Sequence, residues 1–132
     1  MPHVILRPVR GYDAPEALRA VVRDALALAP EIMALLAARD PARLVVVKPN
    51  WIQESHQRLH DCWEPVITHP ALVLATMECL AEAMGGLGTL ALCDAPHSYA
   101  DFNKILARGG LDSALPGLRK RYPQLVLQVI DL

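Results

Sequence analysis

Aromatic residues are scarce in this chain: one Phe, two Trp and three Tyr among 132 residues. Ring stacking cannot fill a core here. Leu, Val and Ala must do so, and a hydrophobic fraction of 53% is enough for them. Lysine is scarce as well, with only Lys48, Lys104 and Lys120, and Arg makes up the rest of the basic complement. A compositional bias of the genome accounts for that preference. An excess of charge is also missing, with 13 basic against 14 acidic residues and a net charge of -1. This excludes an electrostatic case for nucleic acid or for an anionic membrane surface. No apolar run approaches the ~18 residues of a membrane-spanning helix. The opening, MPHVILRPVRGYD, holds too short an apolar run for a secretory signal. Cys62, Cys79 and Cys93 are an odd set with no repeating spacing and no C-x-x-C. Reduced thiols in a cytoplasmic setting are therefore expected, without an iron–sulfur run. A dinucleotide glycine fingerprint, a phosphate-binding P-loop and a serine-hydrolase elbow are all absent.

What is present centres on Leu44–Asn50, LVVVKPN. A short β-branched run of this kind suits a strand buried on both faces. Lys48 and Asn50 then sit where the strand leaves the sheet. In an open α/β sheet that carboxyl end is where ligands bind.

Taken in order, Val4–Leu6 is a short strand candidate. Asp13 and Glu16 form a D-x-x-E capping pair around Pro15, opening an amphipathic helix through Leu28. Pro30 breaks it, and Glu31–Ala38 is a second helical piece. After the Leu44 strand, Trp51 to Ile67 shows neither a strand nor a helix period. Loops that long are uncommon in compact domains and often functional. Thr68 or His69 caps the next helix, with Pro70 at its first position and Gly85, Gly86 and Gly88 at its end. Thr89–Cys93 is a buried strand, left through Asp94-Ala95-Pro96. Ser98 and Asp101 form another capping pair before a helix to about Ala107, stopped by Gly109-Gly110. Leu111–Tyr122 reads as helical around Pro116, and Leu125–Ile130 as the last strand. The alternation predicts an α/β fold: an open, mostly parallel sheet of about four strands with flanking helices in Rossmann-like layers. Residues 1–132 are expected to form one domain, the first part of a larger α/β protein.

Parallel strands would bring Lys48 and Asn50, then Asp94 and His97, then Asp131 to one rim. Thr68 and His69 at a helix amino end should lie on the same side, where free N–H groups favour an anion. Lys48 reads either as an anion-binding or partly desolvated reactive lysine, or as a solvated residue beside a turn. Asp94 reads as a ligand-facing carboxylate or as a turn residue bonding its own backbone. His97 is a substrate contact or an exposed loop histidine. The catalytic candidates are Lys48, His69 and Asp94, with Asn50, Thr68 and His97 as substrate contacts. His69 is the candidate acid or base, because an imidazole titrates near working pH. No metal centre is assigned. His56, His60 and Cys62 are a weaker alternative whose spacing matches no zinc motif. The cofactor is unknown.

Three stretches together resemble a known family: Val47-Lys48-Pro49-Asn50-Trp51, Ile67-Thr68-His69-Pro70, and Asp94-Ala95-Pro96 with Asp101-Phe102 behind it. They are similar to domain-of-unknown-function family 362, bacterial and archaeal proteins, over about Leu44 to Leu132. Residues 1–43 match loosely. The resemblance implies an α/β fold and a polar site built from the Lys-Pro-Asn and Thr-His-Pro segments. It implies no reaction. Some members carry a ferredoxin-like cluster segment whose cysteines are missing here. Members are generally longer, which agrees with the reading as an amino-terminal portion. The function expected is the binding of a small anionic molecule at the strand ends, as part of an enzyme. The alternatives are a non-catalytic binding or assembly module that pairs through the last strand, as a homo-oligomer or with the rest of a longer chain, and an inactive truncated domain.

Overall fold

Three proline residues set where helices begin. Pro15, Pro30 and Pro70 each occupy the first helical position, where a missing N–H costs nothing. The computed structural model describes residues 6–59 and 61–132. The elements run α1 (Pro15–Ala27), α2 (Pro30–Ala37), β1 (Leu44–Val47), α3 (Pro70–Ala83), β2 (Gly88–Asp94), α4 (Phe102–Arg108), α5 (Leu111–Arg121) and β3 (Leu125–Asp131). Among the described residues the sheet has three strands in the order β1-β2-β3, all parallel. The expected α/β architecture is thus present, with one strand fewer than anticipated. Of the Val4–Leu6 candidate, Val4 and Ile5 lie outside the described residues, and Leu6 belongs to no element.

The core forms between the sheet and the helices. Leu90 and Leu92 of β2 are fully buried, as are Met77 and Met84 near α3 and Ile105 of α4. Each such side chain contributes about 1.5–3 kcal/mol by leaving water. Arg19 of α1 joins Glu16 to Glu78 of α3, and Arg121 of α5 reaches the same Glu78 carboxylate. Both crossovers step the same way along the sheet. With right-handed connections, that places α3 and the α4–α5 pair on one face. The pairing register aligns Leu44 with Thr89 and Val126, and Val46 with Ala91 and Gln128, on the opposite face.

Two expected caps are not made. The N-cap of α1 is Ala14, with no side-chain bond. The helix therefore starts one residue later than an Asp13 cap requires, and Glu16 pairs with Arg19 instead. Ser98 does not cap α4. Asp101 is itself the N-cap and accepts from Lys104 N–H at 3.1 Å. The long loop is closed at its base by an antiparallel bridge between Trp51 and Ile67. Ile52 N–H bonds Val66 O, and Thr68 N–H bonds Asn50 O.

Candidate functional site

The carboxyl ends of β1 and β2 meet at Asp94. This residue closes β2, and its side chain is only 2% exposed. A buried carboxylate needs donors, and three surround it. Oδ1 accepts from the Lys48 ammonium at 2.6 Å and from Ala95 N–H at 2.8 Å, and Oδ2 from Trp51 N–H at 2.7 Å. Asp94 therefore ties the residues just past β1 to the end of β2. The turn reading of Asp94 matches this geometry, and no contact of its side chain faces a ligand. It bonds the next backbone N–H as a turn residue does, and it also holds the lysine.

Lys48 is not desolvated as one reading required. Its side chain is 61% exposed, and its ammonium rests on Asp94. The ammonium half of the pair is in water, and the carboxylate half is not. The consequence of the pair is positional: a long flexible side chain is held at the rim. Lys48, Asn50, Trp51, Asp94, Pro96 and His97 line a cavity of about 220 Å³ there. The buried indole Nε1 of Trp51 has no hydrogen-bond partner among the described residues. His97 stacks on Tyr99 with ring centroids 5.1 Å apart, and its N–H bonds Ile52 O. The Tyr99 hydroxyl in turn donates to Gln53 Oε1 at 3.4 Å.

Thr68 and His69 line a neighbouring cavity of about 320 Å³, with Tyr12, Asn50, Glu64 and Leu72. Asn50 belongs to both walls. The candidate residues thus fall into two adjoining hollows rather than one. Thr68 is occupied as a clasp, because its Oγ1 accepts from Asn50 N–H at 2.9 Å. His69 is the N-cap of α3, and its Nδ1 accepts from Ala71 N–H at 3.2 Å. That acceptance assigns the ring proton to Nε2. Tyr12 stacks face to face on this ring at 3.7 Å, and Trp63 approaches at 5.3 Å.

Burial holds the His69 imidazole below its ordinary value, against an opposing pull from Glu64. The unfolded chain therefore binds the proton at a higher pH than the folded one. Stability is complete above the unfolded value of about 6.5 and falls as pH drops through the window below it. Protonation also removes the lone pair that caps Ala71 and sets a cation at a helix amino end. His69→Asn keeps a capping oxygen without the titration. We expect the melting temperature of the variant to fall less between pH 7.5 and pH 5.5 than that of the parent. Equal acid sensitivity would mean that other groups set the acid response.

The weaker metal alternative gains nothing. Among the described residues no three His, Cys, Asp or Glu side chains gather to hold an ion. His56 Nδ1 accepts from Arg58 N–H, Cys62 lies against Glu64, and His60 is outside the described residues. No helix among the described residues is long and apolar enough to cross a membrane. Tyr12, Trp51 N–H and Gln53 are not singled out by the sequence. Only the closed loop and the α1 approach bring them to the site, so no local pattern announces them. Compared with known proteins, the chain matches no family model, and no curated protein or solved structure is similar to it.

Proposed function

We propose that this chain is a ligand-binding α/β domain that takes a small oxyanion, a carboxylate or phosphate, at the carboxyl rim of its sheet. The observation that carries this reading is the anchored, solvent-facing ammonium of Lys48 beside a cavity at the strand ends. An ammonium offers three N–H donors. Asp94 takes one and Pro49 O lies at 3.5 Å from the same nitrogen, leaving capacity for an incoming oxygen. The exposed Asn50 side-chain amide supplies a neutral donor. Asp94 serves as a positioning residue in this reading, because all its contacts are internal. The resemblance to family 362 implies a site built from the Lys-Pro-Asn and Thr-His-Pro segments, of which the first lines this cavity and the second the adjoining one.

A catalytic extension of the reading assigns proton transfer to His69. It requires a ligand long enough to pass Asn50 and reach Nε2 from the Lys48 side. The binding reading is tested by thermal shift with inorganic phosphate, acetate and citrate on the parent and on Lys48→Ala. At a ligand concentration of about 100 times Kd, the parent should gain about 2.7 kcal/mol. The variant should lose most of that gain. An anion that stabilises both proteins equally binds somewhere else.

A further inference from the structure

The two hollows that adjoin at Asn50 differ in charge. The rim cavity is walled by the exposed ammonium of Lys48. The neighbouring cavity is lined by Glu64, and no Lys or Arg of the described residues lines it. Asn50 lies in both walls and is exposed, so the ridge between the hollows is open to solvent. Its backbone N–H is held by Thr68 Oγ1 at 2.9 Å, which ties the two sides of the ridge together.

The second hollow suits a cation. Glu64 makes no ion pair among the described residues, and its one side-chain contact there is the Cys62 thiol at 3.9 Å. Burial lowers the His69 imidazole, and the Glu64 charge pulls it back up, so the carboxylate acts on the ring inside the hollow. Tyr12 covers that ring with one face at 3.7 Å and is still 48% exposed. The face of a phenol ring attracts an ammonium, as a carboxylate does. A second oxyanion in this hollow would instead meet the like charge of Glu64.

We propose that the ligand is a zwitterion, with its carboxylate or phosphate at Lys48 and an ammonium beside Glu64 and Tyr12, joined by a short chain that passes over Asn50. This rests on the oxyanion reading of the rim and deepens it by naming the other end of the ligand. The two charges occupy separate hollows. The class is therefore that of ω-amino acids, not of α-amino acids, whose charges flank a single carbon. Glu64 and Tyr12 are both in contact with water, so the gain from the ammonium is modest, about five- to tenfold in affinity.

Near neutral pH the probes carry both charges. Dissociation constants of β-alanine, γ-aminobutyrate and ε-aminocaproate are compared with those of propionate, butyrate and caproate by ¹⁵N chemical-shift titration. At one length or more, the ω-amino acid should bind about five- to tenfold tighter than its alkanoate. The isomer α-aminobutyrate should show no such gain. Glu64→Gln should abolish the gain, with the alkanoate affinity of the same variant as its reference, and Lys48→Ala should weaken every probe. Glu64 is exposed and in no helix or strand, so the variant should fold as the parent does. Equal affinity of ω-amino acid and alkanoate at every length, or a gain that survives Glu64→Gln, overturns the zwitterion and leaves the oxyanion reading standing. Binding of no probe, or alkanoate binding that Lys48→Ala leaves untouched, overturns the oxyanion reading and this inference with it.

Discussion

Asp94→Ala is expected to lower the melting temperature by on the order of 10 °C, and Lys48→Ala by no more than about 4 °C. The two residues form one ion pair, yet their surroundings are opposite. Asp94 is buried and Lys48 is mostly in water. Removing the carboxylate leaves the Trp51 N–H, in a buried residue, without its acceptor. An unsatisfied buried donor costs about 1–3 kcal/mol. The Ala95 N–H loses a partner too, and a small cavity opens, so the total is about 3 kcal/mol. Removing the ammonium leaves an oxygen that still accepts from Ala95 N–H and that solvent can reach from the lysine side. Urea unfolding of the two variants checks the asymmetry. Equal losses would mean that Asp94 serves Lys48 and not the backbone, with the rim held by the ion pair alone.

Gly109→Ala should cost about 3 kcal/mol or more, the upper end of overpacking. A Cβ there would lie 2.0 Å from Pro70 Cγ and 2.2 Å from Pro70 Cβ. Pro70 is buried and its ring cannot rotate aside. The backbone of Gly109 is not the obstacle, since its φ of -117° suits any residue. The neighbouring glycine gives the internal comparison. Gly110 has a φ of +71° and open space where a methyl group would sit, so Gly110→Ala meets only the left-handed backbone penalty of about 1–2 kcal/mol. Urea denaturation should therefore rank Gly109→Ala below Gly110→Ala in stability. The damage at position 109 passes to the site, because Pro70 adjoins His69 and the start of α3.

Much of the scaffold is legible in the sequence because its signals are local. Pro70 marks the start of α3, and β-branched residues mark β1. The strands appear within a residue or so of where their apolar runs lie. The parallel sheet follows from the alternation of elements, and the meeting of Lys48 with Asp94 follows from the parallel sheet. What is not legible depends on contacts between distant residues. Asp13 and Glu16 have the spacing of a capping box, but Arg19 competes for Glu16 and the helix begins after Ala14. Gly109 and Gly110 read alike as a helix stop. Only Gly110 needs its backbone freedom, and Gly109 is required by the approach of a proline 39 positions earlier in the chain, as 109 less 70. The separation of His69 from the Lys48 cavity comes from the Thr68–Asn50 clasp and from Tyr12 lying on the imidazole.

The most direct test is a phosphate titration of the ¹⁵N-labelled protein followed by amide and side-chain NH resonances. An oxyanion seated at the rim predicts saturable shifts at the Asn50 side-chain amide and the backbone of Ala95 and His97, all strongly reduced in Lys48→Ala. Shifts confined to other surfaces, or a full response in Lys48→Ala, would contradict it.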